Sequence, residues 1–121
     1  MAKIVERGWA GHFICADRCM FRRNTLIQGD NDSVVVSTVG GMRASNGKGL
    51  ETIGAGGRYY ETMAFGTKKE GAYIEADVSD ERRFESEWAI CAKKWESLPD
   101  DVDNIANEQH DAVVAEFARA I

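Results

Sequence analysis

Ser33-Val-Val-Val-Ser-Thr-Val39 (SVVVSTV) holds four valines and a threonine in seven residues. Side chains branched at Cβ crowd a helix and suit a pleated, buried surface, so this stretch reads as a strand. Upstream, Gly29 to Asp32 (GDND) is a turn. Before it, Phe21 to Ile27 (FRRNTLI) alternates, with Phe21, Arg23, Thr25 and Ile27 on one side and Arg22, Asn24 and Leu26 on the other. Trp9 to Cys15 (WAGHFIC) reads as a further strand, and Ile4-Val5 open a short one. Downstream, Gly40 to Gly49 (GGMRASNGKG) reads as a flexible loop, with four glycines in ten residues. Leu50 to Ile53 begins another strand. After Gly54-Ala55-Gly56-Gly57, Arg58 to Phe65 (RYYETMAF) resumes the alternation. Gly66 to Gly71 closes a hairpin onto Ala72 to Val78. There Ala72, Ile74, Ala76 and Val78 point one way, and Tyr73, Glu75 and Asp77 the other.

The period changes after Ser79. Phe84, Trp88, Cys91 and Trp95 recur at helical spacing, with Ser86 and Glu87 as caps. The same region also alternates as Phe84, Ser86, Trp88 and Ile90, so residues 84–97 stay open between helix and strand, with helix favoured. Pro99, followed by Asp100 and Asp101, marks a helix start. Beyond it Val102, Ile105, Ala106, Val113, Phe117 and Ile121 lie on or beside one apolar face, opposite Asn104, Glu108, Asp111 and Arg119. Such a helix must dock on the sheet. The expected fold is α+β, one domain over residues 1–121, mainly β to residue 78 and mainly α from 79. It is an antiparallel, meander-like sheet of about five to six strands with a C-terminal helix packed on one face. Without βαβ alternation, a doubly wound sheet is disfavoured.

A chain of 121 residues fits one core, and its 44 % hydrophobic content is ordinary globular usage. The longest plainly apolar run, Val34 to Val36, falls far short of the ~18 residues a spanning helix needs. Glu6 and Arg7 follow Lys3 too closely for a signal sequence. The expected compartment is therefore the cytoplasm. Cys15, Cys19 and Cys91 are an odd number and read as reduced thiols. Charge is uneven: residues 1–50 balance to +3 and residues 51–121 to −8, within a total of −5. A nucleic-acid binder usually carries a net basic domain, so direct nucleic-acid binding is disfavoured, although a local basic site in the first third is compatible with these numbers.

His12, Cys15 and Cys19 form an H-x2-C-x3-C run to which Cys91 or His110 could add a fourth zinc ligand. On a strand, however, His12 and Cys15 project to opposite faces. Packed thiols are expected instead, with no metal and no cofactor. A thiol nucleophile beside His12 or His110, its pKa lowered by Arg18, Arg22 and Arg23, lacks a local signature. Gly47-Lys48 is not followed by the Ser or Thr of a P-loop. Gly54 to Arg58 lies between strands, with no helix N-terminus to hold a pyrophosphate. Arg18, Arg22 and Arg23 around Phe21 form a cationic patch with an aromatic. Arg43, Lys48 and Arg58 complete the set of cations offered to a partner. Asp100, Asp101, Asp103, Glu108, Asp111 and Glu116 could imitate a phosphate backbone, or suit a helix N-terminus at their first members. Tyr60, Tyr73, Trp88 and Trp95 include candidates for exposed interface anchors.

Along Trp9 to Leu26 (WAGHFICADRCMFRRNTL), Val34 to Gly40 (VVVSTVG) and Glu51 to Phe65 (ETIGAGGRYYETMAF), the chain resembles small uncharacterised proteins of phages and prophages. The resemblance transfers no functional residue. It implies a setting in which short accessory proteins bind and disable host machinery, CRISPR effectors and other defences included. The expected function is therefore stoichiometric binding to a host or phage protein or nucleoprotein complex, without catalysis and without a membrane partner. The rival is a small metal-binding or cysteine-dependent enzyme centred on His12, Cys15 and Cys19.

Overall fold

A computed structural model describes residues 2–8, 12 and 15–121. Among these residues seven antiparallel strands form one curled sheet: β1 (Lys3–Glu6), β2 (Cys19–Gln28), β3 (Ser33–Arg43), β4 (Leu50–Glu51), β5 (Arg58–Glu70), β6 (Tyr73–Arg83) and β7 (Ala89–Cys91). One helix follows, α1 (Val102–Ala120). The main path runs β1-β2-β3-β5-β6. Two long strands each divide an edge between two neighbours. β3 pairs β5 from Val34 to Gly40, then β4 at Met42 and Arg43. β5 pairs β7 through Arg58, Tyr60 and Glu61, and β6 from Ala64 onward. The expected α+β sheet with a helix on one face is what the chain forms.

The helix face of the sheet carries Ile27, Val34, Val36 and Ala64, which meet Val113, Val114 and Trp88 in one buried cluster. The opposite face is buried too. Leu26, Val35, Ser37, Val39, Glu61 and Phe65 alternate with the helix-facing residues and are all under 9 % exposed. Curling closes this side: Arg7 donates to the Asn24 Oδ1 of β2 and to the Ile74 carbonyl of β6, spanning strands from opposite ends of the sheet. Arg82 of β6 likewise pairs with Asp32 in the β2–β3 turn at 2.7 Å.

Several local expectations are corrected. Gly40 to Arg43 belongs to β3 rather than to a loop, because Gly40 leaves room for the Tyr60 ring against the backbone. A Cβ there would lie 2.1 Å from Tyr60 Cδ2. The β5–β6 hairpin turns on Gly71-Ala72 alone, with Glu70 opposite Tyr73. Gly71 has φ +62 and Ala72 has negative φ, as a type II′ turn requires. The face formed by Ala72, Ile74, Ala76 and Val78 is not a core face at Val78, which is 60 % exposed. β6 is an edge strand whose register shifts across Phe65 to Thr67, so alternation does not map onto one core face. β6 continues to Arg83, past the expected change of period at Ser79. Residues 84–97 form neither a helix nor a long strand: two 3-10 turns, Ser86–Trp88 and Trp95–Ser97, flank β7. The strand expected over Trp9 to Cys15 lies largely outside the described residues, and Cys15 leads a 3-10 turn, Ala16–Arg18.

Candidate functional site

Three polar assemblies stand out, one on each sheet face and one at the surface. On the helix face, His110 is fully buried in the middle of α1. Its Nε2 lies 2.7 Å from Thr25 Oγ1 and its Nδ1 2.7 Å from Thr38 Oγ1. The hydrogen-bond directions fix its tautomer. Thr25 donates its own proton to Glu6 Oε2 at 2.8 Å, so it accepts from His110 Nε2–H. Nδ1 then accepts from Thr38, and Thr38 from Thr62 at 2.8 Å. The chain of donors ends on Glu6, held by Arg23 at 2.7 Å. Burial, reinforced by the positive Arg23, depresses the His110 pKa to about 4 against the opposing pull of Glu6 and Asp111. His110 is therefore a neutral structural link near neutral pH, and α1 holds it away from His12.

On the other face, Glu61 of β5 accepts from Arg58 at 2.8 Å and lies 2.8 Å from His12 Nε2. The His12 and Glu61 side chains are only 4 % and 8 % exposed. Burial alone would raise the Glu61 carboxyl, but His12 and Arg58 together hold it below the usual carboxylate range. The His12 ring also lies 5.5 Å from that of Phe65. The His12 Nε2 is thus engaged by a carboxylate. Cys19 packs with Ala16, Val39, Met42 and Ile53, and burial pushes its thiol up, away from the reactive thiolate. Cys15 is half-buried beside that cluster, and Cys91 is exposed. Among the described residues, no group of three or more His, Cys, Asp and Glu is arranged to hold a metal ion.

The third assembly is external. Trp95 is 43 % exposed and sets its indole nitrogen and the two carbons bonded to it against the β3–β4 hairpin: a Cβ on Gly49 would stand 2.3 Å from its Nε1. Beside this contact Arg43, Lys48, Lys93 and Lys94 are all exposed, and no described carboxylate pairs with any of them. Arg18 nearby is neutralised by Glu51. Backbone bonding links this surface to a small pocket: the Ala92 amide donates to the Gly57 carbonyl at 2.9 Å. The pocket, about 180 Å³, is lined by residues of the 55–58 turn and by Phe84, Ser86, Ala89 and Cys91. The Arg58 guanidinium stacks 4.8 Å from the Phe84 ring centroid.

The cations singled out in the sequence thus divide. Arg18, Arg23 and Arg58 spend their charge on Glu51, on Glu6 with Asp111, and on Glu61. Arg22 is half-buried on β2, and Arg43 and Lys48 remain exposed. The acidic series divides as well: Asp103 accepts from the Tyr60 hydroxyl, Asp111 pairs with Arg23, and Glu116 with Arg83. Tyr60 and Trp88 are core, whereas Tyr73 and Trp95 are exposed. Comparison with protein-family models, curated proteins and solved structures finds no match. Among the described residues no helix is long and apolar enough to cross a membrane.

Proposed function

We propose that this chain acts by stoichiometric binding to a host macromolecule, as a small phage-type accessory protein that inhibits a host defence system such as a CRISPR effector. The observation that carries the binding reading is the Trp95 surface: an exposed indole seated on Gly49, near four exposed cations that no carboxylate pairs with among the described residues. Exposed tryptophan with Lys and Arg is the composition of an interface anchor. The interior polar groups favour the same reading, since His110 and Glu61 are committed to holding the fold together. The phage setting rests on the sequence resemblance.

The test is a plaque assay on bacteria whose CRISPR immunity targets the challenging phage. Expression of the chain raises the plaque count, and the Arg43→Glu/Lys48→Glu variant at equal protein level loses the effect. Intact immunity in the presence of well-expressed wild-type protein overturns the inhibitor reading.

A further inference from the structure

The nature of the contact follows from how charge and aromatic surface are combined at one end of the molecule, and it rests on the binding reading above. We infer that the Trp95 surface takes a short stretch of single-stranded nucleic acid, as exposed in a nucleoprotein complex. Lys48, Lys93 and Lys94 lie within two residues of the Trp95–Gly49 contact, and Arg43 stands opposite Leu50 in the adjoining ladder; of the two carboxylates in the same stretch, Glu51 is paired with Arg18 and Glu96 remains. The chain as a whole carries −5, so this end is a local reversal of the molecular charge. A flat exposed indole offers a base a stacking face, and cations on either side of it meet the flanking phosphates. An acidic protein surface would meet the same cations and could bury the indole as an anchor, so it is the alternative outcome of the test below. The pocket beside Phe84 lies close to this surface and adds no free charge, because Arg58 is paired with Glu61. Cys91 on its wall is four residues from Trp95, at most about 13 Å of extended chain. Beyond this surface the acidic remainder repels a polyanion, so the footprint is confined to a few nucleotides.

The sheet supplies the rigidity such a platform needs. Arg43 pairs with Leu50 in the β3–β4 ladder, and the Ala44 amide donates to the Gly49 carbonyl at 3.1 Å. Leu50, Ala92 and Leu98 pack on the buried Phe21, Tyr59, Tyr60 and Ala106 beneath. The indole is thus seated against Gly49 while Trp95 remains 43 % exposed.

The experiment titrates the purified full chain into fluorescently labelled oligouridylate and oligothymidylate of about twelve nucleotides. With three to four phosphates met, binding weakens roughly 20- to 50-fold between about 50 and about 200 mM salt. Trp95→Ala weakens it by about 5- to 150-fold, the range expected for one stacked base, while Trp95→Phe retains most of the affinity. Unchanged circular dichroism shows that each variant is folded, and Lys93→Glu supplies a second variant that leaves the indole in place. Absence of oligonucleotide binding at about 50 mM salt overturns this inference, as does binding that Trp95→Ala leaves undiminished. If oligonucleotides fail while Arg43→Glu/Lys48→Glu still abolishes protection of phage, the surface binds an acidic protein, and only the nucleic-acid inference falls.

Discussion

His110 shows how one polar residue on an apolar helix face becomes a stability determinant with a defined pH window. Its pKa is about 4 in the fold and near 6.5 in the unfolded chain, so the unfolded state binds the proton more readily. A group with a depressed folded pKa contributes its full stability above pH 6.5 and loses it as pH falls toward 4. The loss amounts to about 3 kcal/mol across that window. Denaturant unfolding at stepped pH checks it: wild type weakens from pH 6.5 downward, whereas His110→Gln starts less stable at neutral pH and stays flat to about pH 4.5. Glu61 behaves differently. Its carboxyl is depressed, so its contribution is present above the ordinary carboxylate pKa, begins to fade as pH falls through that range and is fully lost below the folded value. Glu61→Ala strips the partner from both His12 and Arg58 and is expected to cost about 3 kcal/mol at neutral pH, read from the same unfolding curves.

At the scale of elements, β3 is the strand on which the sheet is organised, and Gly40 is where it meets the aromatic cluster. Tyr60 lies over Gly40, packs edge-to-face on Phe21 at 5.8 Å and donates to Asp103 at 2.7 Å. That ring has three anchors and no room to retreat. Gly40→Ala therefore costs about 1–3 kcal/mol, and Tyr60→Leu in the same chain recovers part of the loss, a coupling that a double-mutant cycle measures. The central strands and the terminal helix were legible in the sequence because valine clusters and a proline-led amphipathic run report local geometry directly. Gly40 to Arg43 was misread because glycine signals either a loop or a close approach, and only the ring opposite it decides between them. Residues 84–97 carried both periods because Trp88 enters the core from a 3-10 turn, a geometry that neither period describes. The site was partly visible. Arg43 and Lys48 were in view, but Lys93 and Lys94 lay beyond the basic third of the chain. The seating of Trp95 on Gly49 joins residues 46 positions apart. His110 was in view only as a ligand or base; its core position was readable too, since it lies four residues after Ala106 and three before Val113 on the same helix face.

Across the whole molecule, charges that build the fold are separated from charges left for use. Arg23 ties β1, β2 and α1 together through Glu6, Asn107 and Asp111, and Arg83 ties β6 to α1 through Glu116. Arg43 and Lys48 tie nothing. Their reversal should therefore leave stability within about 0.5 kcal/mol per substitution, the range for surface positions away from structural features. Arg23→Ala removes a hub in contact with three elements and should cost more than either. Thermal unfolding of Arg43→Glu/Lys48→Glu beside Arg23→Ala tests this contrast directly. A loss of more than about 2 kcal/mol in the hairpin double variant would mean that these cations hold the β3–β4 hairpin in place. Their effect on binding would then be a consequence of unfolding. If stability holds and binding fails, the two properties reside in different residues, and the basic end of an otherwise acidic molecule is a surface kept for a partner.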